Sequence, residues 1–151
     1  MSETPIPPMS ERPPGFDEDI IQQFRANGGR ILSGPFAGRT LLLLTTTGAK
    51  SGRPLTKPLG FSRDGERYVV IASKGGAPSN PAWYHNLVAH PEVIVEVGTE
   101  RFSARASVAQ GAERDRLYAQ QAAAIPVFAK YQEMTSRRIP VVVLTPRTSS
   151  A

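Results

Sequence analysis

The chain has 151 residues, of which 40% are hydrophobic and 21% charged, enough apolar sequence for the core of one domain. Its 18 lysines and arginines against 13 aspartates and glutamates give a net charge of +5, which favours an anionic partner. The absence of cysteine excludes disulfides, thiolate nucleophiles and cysteine-ligated metal sites, and the lack of a signal peptide or long apolar run predicts a cytoplasmic protein.

The sequence predicts one domain over residues 15–147, preceded by a flexible leader at residues 1–14 and followed by a frayed tail at residues 148–151. The leader contains five prolines, which disfavour regular secondary structure. The first helix begins at Phe16, where apolar residues recur at helical spacing and three consecutive acidic residues favour a helix N-terminus. A pair of glycines ends this helix.

Three strands follow the first helix. Residues 40–47 form a run of β-branched residues and leucines, and residues 54–62 continue the extended pattern. A turn at residues 63–66 leads into the third strand, residues 67–73. Because proline cannot donate to a strand ladder, the two prolines of the second strand predict that it lies at a sheet edge or contains a bulge.

The second half of the domain begins with a short helix, continues with a hairpin, and ends with a longer helix and a last strand. The corresponding ranges are residues 82–89, 92–97 paired with 101–109, 111–124, and 139–144. Sequential hairpins without βαβ alternation favour a mainly β (α+β) fold. We expect a mostly antiparallel sheet that closes into a small barrel with peripheral helices.

Most standard catalytic motifs are absent from the chain. Residues 48–51 superficially resemble a phosphate-binding P-loop, but Ala49 stands where that motif requires glycine. No glycine-rich fingerprint follows a strand, which argues against a Rossmann nicotinamide site. His85 and His90 are five residues apart, a poor spacing for a helical metal pair, so surface or capping roles are favoured and no metal site is predicted.

The most unusual feature of the charge distribution is a stretch without acidic residues. Residues 20–63 contain seven lysines and arginines and no aspartate or glutamate. Lys50, Arg53 and Lys57 cluster there around two glycines, which would let backbone N–H groups and cationic side chains converge on one anion. A solvated basic surface explains the same pattern, and the residues alone leave both interpretations open.

A second unusual segment combines a glycine-containing loop at residues 74–79 with the only tryptophan of the chain, Trp83. Glycines allow a flat ring to approach the backbone closely. Trp83 and Tyr84 could equally pack a helix onto the barrel. From the residues alone the packing interpretation is favoured.

Six blocks of the sequence together closely resemble the deazaflavin-dependent nitroreductase family of actinobacteria. They follow the family's order and approximate spacing, and the resemblance extends over about residues 40–146. The blocks are residues 44–52 (LTTTGAKSG), 58–59 (PL), 63–65 (RDG), 72–77 (ASKGGA), 80–87 (NPAWYHNL) and 138–141 (RIPV).

The resemblance implies a split β-barrel that binds the 8-hydroxy-5-deazaflavin coenzyme F420, whose phosphate and oligoglutamate tail are polyanionic. On the family pattern Lys50 holds the phosphate or the tail. The family often has arginine where this chain has Ala49 and Leu55, so Arg53 and Lys57 are expected to replace those charges. The implied cofactor-binding residues are Lys50, Ser51, Gly52, Arg53, Lys57, Ser73, Lys74, Gly75, Gly76, Asn80, Trp83 and Asn86.

The chemistry implied by the resemblance is hydride transfer from the reduced coenzyme to an electrophilic small molecule: a quinone, an enone such as an unsaturated lactone, or a nitroaromatic. Ser73 and Tyr131 are the candidate catalytic donors, which would stabilise negative charge on the acceptor. The family's nitroimidazole reducer carries tyrosines where this chain has Ile125 and Phe128. We therefore expect a more apolar pocket and weak nitroimidazole reduction.

Several alternatives remain open at this point. The same loop would suit the phosphate of FMN in a split-barrel oxidoreductase, and a module that carries coenzyme F420 or a small lipid without turnover would need no catalytic donor. Nucleic acid is not expected as a partner, because aromatic residues are only 7% of the chain and no recognition helix is evident. Weak association with a membrane surface would give access to lipophilic quinones.

Overall fold

The computed structural model describes residues 15–147, which form seven strands and four α-helices. The leader and tail expected at residues 1–14 and 148–151 lie outside the described residues. The strands are β1 Leu42–Thr47, β2 Pro54–Leu59, β3 Ser62–Asp64, β4 Arg67–Ile71, β5 Glu92–Val97, β6 Glu100–Val108 and β7 Val141–Pro146. The helices are α1 Phe16–Ala26, α2 Ala82–Ala89, α3 Gly111–Ala124 and α4 Val127–Glu133, with a 3-10 turn at Lys74–Gly76.

All seven strands belong to one antiparallel sheet with the order β2-β1-β5-β6-β7-β4-β3. Because side chains alternate across a strand, one face of every long strand points to a common interior. Trp83 and Leu87 of α2 pack into the same cluster, so α2 closes one part of this interior. The buried strand residues of the cluster are Leu42, Leu44, Tyr68, Val70, Val93, Val95, Ala104, Ala106, Val142 and Leu144.

The opposite face of the sheet is covered by helices in two places. Leu43 of β1 packs against Ile20 and Phe24 of α1. Val69 and Val143 of the neighbouring strands β4 and β7 pack against α3 and α4, with Leu117 and Phe128 among the buried contacts. The helices therefore lie outside the barrel, as expected.

The sheet has two ends within the described residues, because β2 pairs only with β1 and β3 only with β4. The sheet is therefore a split barrel and does not close fully. The prolines of β2, Pro54 and Pro58, lie at this edge, which confirms the prediction from their missing N–H groups. The single strand expected at residues 54–62 is broken at Gly60-Phe61, where the chain steps from one end of the sheet to the other.

Helix α4 was not expected from the sequence. Pro126 ends α3, as predicted, but its φ of -58° also suits the start of a new helix. At seven residues, α4 is too short to display a clear apolar period. No helix within residues 15–147 has the length and apolar character needed to cross a membrane.

Candidate coenzyme site

The basic loop, residues 48–53, joins β1 to β2 and exposes its cationic side chains. The Gly48 N–H donates to Arg53 O at 2.8 Å, and the Gly52 N–H donates to Gly48 O at 3.0 Å. A Cβ on Gly48 would lie 2.3 Å from Ser51 Oγ, so a larger residue there would force the Ser51 side chain to turn away. Gly52 favours glycine because its φ is +70°. The loop is thus a tight turn whose residues 49–53 are exposed to solvent.

The predicted cluster of three cations is divided by the fold. Lys50 and Arg53 are exposed, and within residues 15–147 neither side chain forms an ion pair or hydrogen bond. Lys57 Nζ instead lies 2.7 Å from Asp17 Oδ2 of α1, which neutralises its charge. Two cations of the stretch without acidic residues, Arg25 and Lys57, therefore pair with carboxylates from outside it, whereas Lys50 and Arg53 of the basic loop do not.

Asn86 connects the basic loop to α2. The Ala49 N–H donates to Asn86 Oδ1 at 2.9 Å, and Asn86 Nδ2 donates to Thr46 Oγ1 at 3.1 Å. Only 8% of Asn86 is exposed, so both ends of a buried amide bind protein groups. Trp83, one helical turn earlier, is buried in the barrel interior. The structure therefore joins Asn86 to the basic loop by a hydrogen bond, whereas Trp83 packs into the barrel interior.

The glycine loop, residues 73–80, connects β4 to α2 and has an irregular backbone. Lys74 has a φ of 48°, unusual for a residue with a side chain, and its Nζ lies 3.2 Å from Ser79 Oγ. Gly76 has a φ of +82°, and a Cβ there would lie 2.9 Å from Met134 Cβ. Gly76 thus permits the glycine loop to contact the end of α4. Ser73 is buried at the start of the loop.

Tyr131 projects from α4, the helix that supports the glycine loop. Its ring meets that of Phe128 edge to face, with centroids 5.4 Å apart. Ile125 and Phe128 both pack towards Gly60 at the break between β2 and β3, with Ile125 Cδ1 3.5 Å from the position of a Cβ there. The side of the site formed by α4 is therefore mainly apolar apart from Tyr131.

Arg137, which sequence reasoning missed, binds the glycine loop from behind. Its guanidinium donates to the carbonyls of three loop or loop-flanking residues and to the side chain of a fourth: Ala72 O at 3.1 Å, Ser73 O at 2.8 Å, Ala77 O at 3.0 Å and Asn80 Oδ1 at 2.7 Å. Burial lowers the Arg137 pKa from its ordinary value. The only sequence signal was its position next to the RIPV block.

The arrangement suits a large anionic coenzyme better than an acid–base catalyst. Lys50 and Arg53 offer unpaired positive charge at an exposed turn, which fits a phosphate and a polycarboxylate tail. The glycine loop contains two adjacent residues without side chains, Gly75 and Gly76, beside which a flat ring could approach the backbone. Within residues 15–147 no group of three or more metal-ligating side chains occurs. The residues present therefore fit coenzyme F420, as the sequence blocks implied.

Comparison with known proteins identifies close relatives. A family model described as F420H(2)-dependent quinone reductase matches residues 19–146. An F420H(2)-dependent quinone reductase of Mycobacterium tuberculosis strain H37Rv is 43% identical over 129 residues, which cover 82% of this chain and 85% of the relative.

Two solved structures are also similar to this chain in sequence and fold. The structure of an F420-H2 dependent reductase, FDR-A, is 39% identical with a TM-score of 0.66, and the match covers 70% of this chain and 94% of that one. A chain described as a domain-swapped dimer is 34% identical with a TM-score of 0.68, covering 84% and 94% of the two chains.

Proposed function

We propose, for a chain that belongs to the F420H(2)-dependent quinone reductase family, that its acceptor is a quinone and that the basic and glycine loops together hold the coenzyme. The chain is an F420H(2)-dependent oxidoreductase, and coenzyme F420, when bound, supplies a hydride. The observation that carries the proposal is the pair of unpaired cations on the basic loop, supported by Asn86.

In this proposal the basic loop binds the anionic part of the coenzyme. Lys50 and Arg53 contact the phosphate or tail through their charges, while Ser51 and Gly52 form the tight turn that presents them. Lys57 supports the strand beside them, because its charge is paired with Asp17. Asn86 maintains the loop through Ala49 and is a positioning residue in this scheme.

The glycine loop orients the ring in the same proposal. The backbone of Lys74, Gly75 and Gly76 would hold one side of the ring, and Ser73 begins the loop at a buried position. Asn80 would form the adjoining wall, which Trp83 would support from the barrel interior. The protein contributes to catalysis mainly by holding the reduced coenzyme and the quinone in the orientation needed for hydride transfer, because the coenzyme supplies the electrons.

Tyr131 and Ser73 are the proposed donors to the acceptor. As the quinone gains a hydride, negative charge grows on its carbonyl oxygen, and a hydroxyl aimed at that oxygen stabilises the charge. The hydride brings two electrons and one hydrogen, and a proton from water, passed through the donor hydroxyl, completes the hydroquinone. The apolar surroundings of Ile125 and Phe128 favour a quinone or enone over a nitroimidazole.

The first experiment is a titration of the purified protein with coenzyme F420 and, separately, with FMN, followed by fluorescence. We expect micromolar or tighter binding of F420 and much weaker binding of FMN. Absence of F420 binding would refute the proposal, whereas comparable FMN binding would favour the flavin alternative.

A turnover assay distinguishes an enzyme from a protein that only carries the coenzyme. We expect menadione to oxidise the reduced coenzyme rapidly in the presence of the protein and a nitroimidazole to do so much more slowly. Equal rates with the two acceptors would contradict the acceptor preference. Tight binding without oxidation of the reduced coenzyme by any acceptor would indicate a carrier.

A further inference from the structure

Arg137 lies in the segment between α4 and β7 and makes four hydrogen bonds to a single stretch of chain, residues 72–80. Three of the acceptors are main-chain carbonyls. Ser73 O also accepts from the Gly76 N–H at 2.9 Å in the 3-10 turn. The left-handed residues Lys74 and Gly76 interrupt regular pairing of the other two carbonyls, Ala72 O and Ala77 O, and Arg137 donates to both.

Only arginine among the side chains can make this set of contacts. Its planar guanidinium carries five N–H donors in a fixed fork, whereas a lysine has three donors on one atom. In this structure Nε, Nη1 and Nη2 each donate, and Nη1 donates twice. Replacing the fork would remove the Arg137 donor from Ala72 O and Ala77 O, and one of the two donors from Ser73 O.

The backbone of Arg137 is itself fixed by α4 and α3. Gln132 Nε2 donates to Arg137 O at 2.8 Å, and Gln132 Oε1 accepts from Arg114 Nη2 at 2.6 Å. The same oxygen accepts from the Ile139 N–H at 3.1 Å. The clamp is therefore anchored to two helices that lie outside the glycine loop.

The charge of Arg137 is not balanced nearby. Within residues 15–147 no carboxylate forms an ion pair with it, and its hydrogen-bond partners are neutral oxygens. A positive charge behind the loop favours an anionic ligand in front of it, and partial burial reduces the screening by water.

We propose that Arg137 is a positioning residue that forms the glycine loop in its binding-competent shape before the coenzyme arrives, and that its charge adds to the affinity for the anionic coenzyme. The inference rests on the proposed function for the identity of the ligand. The clamp itself is a property of the protein without ligand and can be tested separately.

The first test is hydrogen exchange of the ligand-free protein, read by mass spectrometry on peptides that cover residues 72–80. We expect Arg137→Gln to speed exchange in this segment at least tenfold, and Arg137→Lys to speed it to a similar extent because the fork is lost. The control is Arg138→Gln. Arg138 is exposed and pairs with Asp115 at 2.8 Å, and its replacement should leave exchange in the segment within twofold of wild type.

Asn80→Ala keeps the experiment decisive if the Arg137 variants fail to fold. It removes one acceptor, at 2.7 Å, and leaves the guanidinium in place. We expect faster exchange limited to the end of the loop near residue 80. Unchanged exchange over residues 72–80 in every variant that folds would overturn the clamp, whatever the protein binds.

The second test measures affinity for coenzyme F420. We expect the dissociation constant to rise at least tenfold in Arg137→Gln and less in Arg137→Lys, which keeps the charge, while Arg138→Gln stays within twofold. Equal losses in the two Arg137 variants would overturn the charge contribution and leave the clamp supported by exchange. If wild type does not bind the coenzyme, the proposed function fails, and the exchange result still decides the clamp.

Discussion

The residues of the candidate site are of two kinds: those proposed to contact a ligand, and those that hold these contact residues in position. Asn86 lies within a block that implied coenzyme contact, yet both ends of its amide bind Ala49 and Thr46. Lys50 and Arg53 differ from Asn86 because they are exposed and have no ion-pair or hydrogen-bond partner for their side chains within residues 15–147. The basic loop therefore depends on one buried amide for its shape and on two exposed cations for its charge.

Replacing Lys50 by alanine should weaken F420 binding and reduce its dependence on salt. A charge-assisted contact contributes about 1.5 kcal/mol or more, which corresponds to roughly a tenfold rise in the dissociation constant. Fluorescence titrations over a range of salt concentrations measure both quantities.

Lys57→Ala is the matched comparison, because its charge is already neutralised by Asp17. This variant should lose some stability and keep most of the salt dependence. If Lys50→Ala binds like wild type, the anion site lies elsewhere.

At the scale of elements, the short helix α4 connects the apolar side of the candidate site with the glycine loop. It carries Tyr131 towards the apolar side and receives the glycine loop at Gly76. Tyr118 of α3 fixes α4 by donating its hydroxyl to Phe128 O. A helix of seven residues is stabilised mostly by such tertiary contacts, so the geometry of the site depends on them.

Gly76→Ala should disrupt the contact between the glycine loop and α4. An alanine at position 76 would have to keep the left-handed backbone conformation, which costs about 1–2 kcal/mol, and its Cβ would also collide with Met134. Gly65→Ala is the control, since its φ of +62° imposes similar backbone strain with no atom within 4 Å. Urea unfolding should therefore show a larger loss for Gly76→Ala, accompanied by weaker F420 binding. Equal losses would mean that the contact with α4 contributes nothing.

Tyr118→Phe should destabilise the protein at neutral pH by about 1 kcal/mol, because a buried carbonyl loses its donor. Burial raises the Tyr118 pKa above its ordinary value of about 10. The stabilisation is therefore complete below pH 10 and is lost as the pH rises through the higher folded-state pKa. Chemical denaturation at pH 7 and above pH 10 should show the deficit of the variant shrinking in alkali. A constant deficit, with Tyr84→Phe as control, would contradict this assignment.

At the scale of the whole molecule, the fold and the family could be predicted wherever local sequence patterns were sufficient. The family, the antiparallel split barrel, coenzyme F420 and the edge position of the second strand were all confirmed. The break at Gly60-Phe61, the pairing of Lys57 with Asp17 and the clamp by Arg137 were missed. Each depends on residues far apart in the chain, between 40 and 65 positions for the two side-chain contacts, so no local period or motif records them. The individual roles assigned to site residues stay predictions.

The net charge of +5 should also act on the molecule as a whole. We propose weak, salt-sensitive association with anionic membrane surfaces, where lipophilic quinones reside. Sedimentation should show binding to phosphatidylglycerol vesicles at low salt and release when the salt is raised. Neutral phosphatidylcholine vesicles are the control. Equal binding to both would exclude a role for the charge.

The connection from β2 to β3 joins the two ends of the split barrel's sheet covalently. These strands are the two ends of the sheet, yet only Gly60 and Phe61 separate them in the chain. Three Cα-to-Cα steps span at most about 11 Å, so on this side the sheet cannot unroll further than its own backbone allows. Unrolled barrels expose strand edges that invite pairing with other chains. Here the polypeptide itself limits how far the two ends of the sheet can separate within one chain.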